Sequence, residues 1–190
     1  MTIAPELRSL TVQDYHRMVE TGILTTDERV ELIEGQLYTM AAKGTAHSAA
    51  ITRIDRVLSQ RLGNRALLRF QDPVQLNDIS EPEPDVAIVQ PDPLDYEDHH
   101  PRPEDIFWLI EVADSTLRRD RDLKVPLYGR SGIREYWILD VQEGCLYGFR
   151  GPGDQGYGFE QKLSAQDTIA PLAFPDCLIS VGEFLRSPLS

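Results

Sequence analysis

Long apolar runs are missing from the 190-residue chain. No stretch approaches the ~20 consecutive apolar residues of a membrane helix, so a helical membrane span is excluded. The first residues, MTIAPELRSLTVQDY, have neither the basic start nor the apolar centre of a secretory signal. Cysteine occurs only at Cys145 and Cys177, far apart and each in an apolar strand-like run. That rules out a disulfide framework and points to two buried thiols in a reducing cytoplasm. Basic residues are scarce beside acidic ones, 19 against 31, for a formal net charge of −12. Proteins that grip nucleic acid by its backbone usually carry a basic footprint. The overall charge therefore argues against a DNA partner, and only a local cluster (Arg118, Arg119, Arg121 and Lys124) could supply one. There is no internal repeat, no low-complexity segment and no helix-turn-helix or zinc-finger pattern that would define a recognition sequence.

What remains is ordinary for a globular chain: 41% hydrophobic and 26% charged residues, enough for one domain over residues 1–190. Thr11 to Thr21 reads as a short helix capped by Thr11 and ended by Gly22. RVELIEGQLYTM reads as a hairpin, strands 29–34 and 36–41 turning at Glu34-Gly35. Ala50, Ile51, Ile54, Val57, Leu58 and Leu62 repeat at helical spacing and predict a helix from about residue 45 to 62. ALLRFQDPVQLN reads as a strand bent near Pro73, and DVAIV as a short strand. Residues 91–105, acidic and proline-rich, read as an exposed loop. IFWLIEV is a near-continuous apolar run, the signature of a central strand buried on both faces. A helix is expected from about 117 to 130, kinked by Pro126. REYWILD, CLYGFR and FEQKL follow as strands, with GPGDQGYG as a loop. The tail reads as a strand near 177–180 and a small helix over 181–186. The order predicts an α/β fold, a mixed sheet flanked by helices, with an N-terminal helix and hairpin.

The chemistry concentrates between Asp85 and Tyr136. Asp85 and Glu111 lie on separate strand runs joined by one loop, and pairing those strands would bring the two carboxylates within reach of one ion. Hard oxygen ligands of this kind suit Mg²⁺ or Mn²⁺. A carboxylate inside IFWLIEV is costly unless it is paired or bound to metal, which makes Glu111 the firmest candidate. Asp85, after Pro84, also fits a plain strand-entry residue. Asp120, Lys124 and Tyr128 share a helical face at i, i+4 and i+8. That face could offer a lysine and a phenol to the carboxylates, or be a surface Asp-Lys pair. His47, in the first turn of its helix, suits a general base or an exposed histidine equally. Glu31 and Glu34 could complete a metal site, although Glu34-Gly35 is also a turn. His99-His100 is a weak metal signal. Two carboxylates and a lysine suit a Mg²⁺-dependent phosphodiesterase. An RNA or nucleotide phosphodiesterase, or a non-catalytic interaction module, has the same residues to draw on. Cutting both strands of a duplex would call for a homodimer.

Taken together, Glu31-Leu32-Ile33-Glu34-Gly35, His47, Pro84-Asp85-Val86, Ile110-Glu111-Val112, Ser115-Thr116, Asp120, Lys124, Tyr128, Gly132-Ile133 and Glu135-Tyr136-Trp137 resemble the Uma-type family of putative restriction endonucleases. That family is a branch of the PD-(D/E)XK nuclease superfamily, and the resemblance runs from about residue 11 to 185. It implies a restriction-endonuclease-like fold and Mg²⁺-dependent DNA cleavage, with Asp85 in the first acidic motif and Glu111 in the second. Ala113 stands at the usual lysine position, and the resemblance implies that Lys124 takes that role. It also implies auxiliary roles for His47, Glu31 and Glu34.

Overall fold

The computed structural model describes residues 8–25 and 27–185. Its first helix, α1 (Val12–Glu20), starts where Thr11 and Asp14 cap each other: the Asp14 N–H donates to Thr11 Oγ1 (3.0 Å) and the Thr11 N–H to Asp14 Oδ2 (3.1 Å). The hairpin β1 (Val30–Ile33) and β2 (Gln36–Thr39) turns through Glu34 and Gly35, both at positive φ (50° and 75°). This is the backbone of a tight two-residue hairpin turn. Helix α2 (Thr45–Leu62) buries the stripe Ala50, Ile54, Val57, Leu58 and Leu62 as its spacing requires.

Six strands form the main sheet in the order β3 (Leu67–Arg69), β4 (Val86–Val89), β5 (Ile106–Ala113), β6 (Glu135–Asp140), β7 (Cys145–Gly153) and β8 (Gly156–Ser164). Every pairing is antiparallel except β5–β6. That parallel pair needs a crossover, which a run of three helical pieces supplies. The core splits across the sheet. Trp108, Ile110 and Val112 of β5 face α2 with Trp137 of β6, whereas Leu109 and Ala113 face the hairpin and the crossover helix with Tyr128 and Tyr136. The rings of Trp108 and Trp137 lie 5.5 Å apart. The pair β9 (Thr168–Ile169) and β10 (Ile179–Ser180) and a short 3₁₀ turn (Val181–Glu183) seal the α2 face with Ile169, Phe174, Ile179 and Phe184. Both cysteines are buried and unpaired, and burial raises both thiol pKa values.

Several elements depart from expectation. The strand expected over ALLRFQDPVQLN stops after Arg69, because Gln71 takes positive φ (59°) and Pro73 cannot donate to a ladder. The glycine-rich GPGDQG is no loop: β7 and β8 stay paired to Gly153↔Gly156, turning only at Asp154-Gln155. Residues 91–105 are anchored rather than simply exposed. Tyr96 is buried, its hydroxyl donates to the Gln90 carbonyl (3.0 Å), and Pro103–Asp105 form a 3₁₀ turn. Only 181–183 of the expected tail helix are helical, and Arg186 lies outside the described residues.

The helix expected over 117–130 is three pieces: α3 (Leu117–Arg119), a π turn (Asp120–Lys124) and α4 (Val125–Arg130). Pro126 is the cause. In a regular helix its ring would strike the carbonyl of Asp122. Instead the chain widens by one residue, and the Val125 N–H reaches the Asp120 carbonyl five residues back. Helix α4 then lies against β8 so closely that a Cβ at Gly129 would come within 2.2 Å of the Gly156 carbonyl oxygen. Gly129→Ala is expected to destabilise the protein by about 1–3 kcal/mol through overpacking, read by urea denaturation. An unchanged midpoint would show that α4 can ride away from β8.

Candidate active site

Register places the first two carboxylates together. Val86 pairs with Ile110 across β4 and β5, so Asp85, one residue before β4, comes opposite Glu111. Alternation puts both on the crossover side of the sheet, with Ala87, Leu109 and Ala113. Asp85 Oδ2 accepts from the Val112 N–H (2.8 Å) and lies 2.9 Å from His47 Nε2 on the first turn of α2. Asp85 Oδ1 accepts from Gln71 Nε2 at 3.2 Å. Burial alone would raise the Asp85 pKa, but His47 and the Val112 N–H outweigh it and hold the carboxyl below its ordinary value.

Glu111 is buried, and Lys124 Nζ donates to its Oε1 at 2.8 Å. The Tyr128 hydroxyl donates to the same oxygen at 3.2 Å. The second oxygen, Oε2, receives only a long contact from the Asp85 N–H (3.4 Å). Lys124 also lies 3.4 Å from Glu31 Oε2, and Arg119 donates to Glu31 Oε1 at 2.8 Å. Thr116 Oγ1 donates to Asp120 Oδ2 at 2.7 Å, which tethers the start of the π turn. Lys124 and Tyr128 thus both converge on Glu111, with the widened turn between Asp120 and Lys124 setting their approach. Burial pushes Glu111 well above the usual carboxylate range, against the pull of Lys124. For Lys124, burial would lower the ammonium, but Glu111, Glu31 and Asp120 together raise its pKa above the ordinary lysine value.

These groups line a cavity of about 80 Å³, room for several waters or a hydrated ion. Its wall carries Glu31, Glu83, Asp85, Glu111, Asp114 and Asp120 against Lys43, Arg119 and Lys124. The excess of acid over base suits a divalent cation. Asp85 Oδ1 and Glu111 Oε2, the least engaged oxygens of the pair, are hard donors of the kind Mg²⁺ and Mn²⁺ take.

Glu83 also lines the cavity, without being among the residues expected there. Its half-buried carboxyl is raised by burial. The alternating Pro82-Glu83-Pro84-Asp85 was the available signal, since extended backbone sends residues i and i+2 to the same side. Glu34 is not brought to the cavity; it sits in the hairpin turn and pairs with Arg130 at 2.5 Å. Nor do the four cations form a free basic patch. Arg118 pairs with Asp122 (3.3 Å), Arg119 with Glu31, and Arg121 with Glu160 (2.7 Å), and Lys124 is buried.

A sheet of this order, with two carboxylates opposed on neighbouring strands and a buried lysine from the crossover, has the architecture of a nuclease-like fold. The crystal structure of a protein described as a putative nuclease belonging to DUF820, from Anabaena variabilis ATCC 29413, superposes with a TM-score of 0.70. The likeness covers 92% of this chain and 97% of that one at 15% sequence identity. Residues 12–182 match the family model Uma2, described as putative restriction endonuclease, and the chain belongs to that family. No curated protein matches it. Among the described residues no helix is long and apolar enough to cross a membrane.

Proposed function

We propose that residues 1–190 form a single nuclease domain that hydrolyses phosphodiester bonds in DNA with the help of Mg²⁺ or Mn²⁺. The carrying observation is the convergence of Asp85, Glu111 and the Lys124 ammonium on one small acidic cavity. Asp85 and Glu111 are the residues that would hold the ion, through Asp85 Oδ1 and Glu111 Oε2. When bound, the ion supplies Lewis acidity to the scissile phosphate and acidifies water for attack. His47 and the Val112 N–H orient Asp85, and Tyr128 and Lys124 fix Glu111 with one oxygen turned to the cavity. Lys124, held between Glu31 and Glu111, keeps a positive charge beside the site where negative charge grows on phosphate. Arg118 is almost fully exposed, and its Asp122 pair is worth under about 1 kcal/mol. It can exchange that partner for a backbone phosphate, as can Lys43 on the rim. A cytoplasmic homodimer, one site for each strand, is the assembly that duplex cleavage calls for.

Supercoiled plasmid incubated with Mg²⁺ or Mn²⁺ provides the test. Wild type is expected to nick it, and Asp85→Ala and Lys124→Ala to leave it intact. Equal nicking by all three proteins refutes the assignment. The pairing of Arg119 and Arg121 with carboxylates favours a second reading, an interaction module that retains the pocket. An inactive wild type on DNA and RNA alike would select it.

A further inference from the structure

Three side chains outside the cavity are gathered as a metal site would gather them. His16 comes from α1, Glu81 from the strap leading to Asp85, and His100 from the 91–105 loop. Each offers a ligand atom, and these atoms all lie within 4.8 Å of one another. His16 Nε2 is 2.7 Å from Glu81 Oε1, and the two imidazole rings stand 6.4 Å apart, edge to face. Glu81 is 2% exposed, and its second oxygen has no hydrogen-bond partner among the described residues. His100 Nδ1 is likewise buried without a partner. A carboxylate oxygen shut away from water without a donor is destabilising. A cation accounts for both orphaned atoms at once.

We infer that His16, Glu81 and His100 form a second metal site, distinct from the carboxylate cavity, that takes Zn²⁺. Two imidazoles and one carboxylate are borderline donors, suited to Zn²⁺ rather than Mg²⁺. Tetrahedral bonds of roughly 2.0–2.1 Å set ligand atoms about 3.4 Å apart, a side-chain rotation away from the present spread. His16 is partly exposed and borders a surface groove with Gln13, Gln75 and Asp78, which leaves a path for the ion and a fourth position for water. The Arg69 guanidinium is turned toward Asp72 (3.6 Å) and the Tyr96 ring. The backbone is prepared on two sides: the Glu81 N–H donates to the Leu32 carbonyl (2.8 Å), and the Pro101 carbonyl accepts from Gln75 (2.9 Å). The ion would clip α1 and the acidic loop to the strap that ends at Asp85.

The test uses the full chain, stripped with a chelator and titrated with Zn²⁺ under excess Mg²⁺, with Co²⁺ as an optical reporter. About one Zn²⁺ per chain, a raised melting temperature and the intense visible bands of tetrahedral Co²⁺ are expected. His16→Ala and His100→Ala are expected to lose all three signals, and Asp85→Ala to keep them. Circular dichroism checks that each histidine variant keeps the fold, since His16 is the side-chain partner of the buried Glu81. Zn²⁺ binding that survives in both histidine variants, that vanishes only in Asp85→Ala, or that is missing from the wild type overturns the inference. The three residues are then a hydrogen-bonded cluster.

Discussion

Glu111→Gln is expected to abolish Mn²⁺ binding and plasmid nicking while costing far less stability than Lys124→Met, because Glu31 and Asp120 stay beside the Lys124 ammonium. Loss of activity on the order of 10³-fold or greater follows if Glu111 is a ligand whose charge holds the ion, as proposed. The stability effect follows from burial. Folding holds the Glu111 carboxyl well above its ordinary pKa, so the folded state binds this proton more tightly than the unfolded state. Glutamine keeps an acceptor for Lys124 and Tyr128 without the buried charge. Between the ordinary glutamate value and the raised one, the native chain carries more protons than the unfolded chain, and its stability falls as pH rises. Wild type without metal should therefore lose melting temperature with rising pH across that window, and Glu111→Gln should flatten the slope. Protons also compete with the ion for this carboxylate, so Mn²⁺ affinity should weaken as pH falls. A glutamine variant that melts as far below wild type as Lys124→Met at neutral pH contradicts the argument.

Lys124→Met should produce the largest loss of stability from a single substitution in the site. The ammonium is the buried counter-charge for Glu111 and Glu31 together, 2.8 and 3.4 Å away. Removing it leaves carboxylates that burial has cut off from water. Breaking a buried pair by deleting one partner costs about 3–5 kcal/mol, roughly 6–20 °C in melting temperature for a chain of this size. The penalty should shrink as pH falls and the stranded carboxylates take up protons. The double variant Glu111→Gln/Lys124→Met should recover part of the loss, because the two sites share one interaction. Additive effects in that cycle, measured by guanidinium denaturation, would place the cost of Lys124→Met in packing rather than charge. In wild type the contribution of Lys124 is complete below the ordinary lysine pKa and fades only at strongly alkaline pH, since its folded pKa is raised.

Glu111 was legible from sequence for the same reason that makes it matter: a charge in an apolar strand must have a partner. The α2 stripe, the Glu34-Gly35 turn and the order of strands could be read because local pattern and tertiary burial agree there. What could not be read depends on contacts distant in sequence. Pro126 announces a disturbance, but whether it aims Lys124 inward is decided by the π turn, tethered at Thr116 and pressed against β8 at Gly129. The glycines of GPGDQG look like loop because glycine is a poor strand former. They pair because the long hairpin imposes its ladder, with Gly151 and Gly156 taking the positive φ (69° and 112°) that glycine tolerates. Glu83 belongs to the cavity through the strap between β3 and β4, where the two-residue alternation with Asp85 is its one local signal. The acidic balance of the chain is partly explained by the cavity wall, yet the arginines expected to offset it are turned to carboxylates.

The division of aromatic rings across the sheet has an optical consequence. Both tryptophans of the chain, Trp108 and Trp137, lie on the α2 face, whereas Tyr128, Tyr136 and Tyr157 lie on the face that carries Glu111. Tryptophan emission will report the melting of one half of the core, and tyrosine ellipticity in the near ultraviolet the state of the other. Filling the cavity should leave the first signal almost unmoved and shift the second, so the two layers can be watched separately in one unlabelled sample.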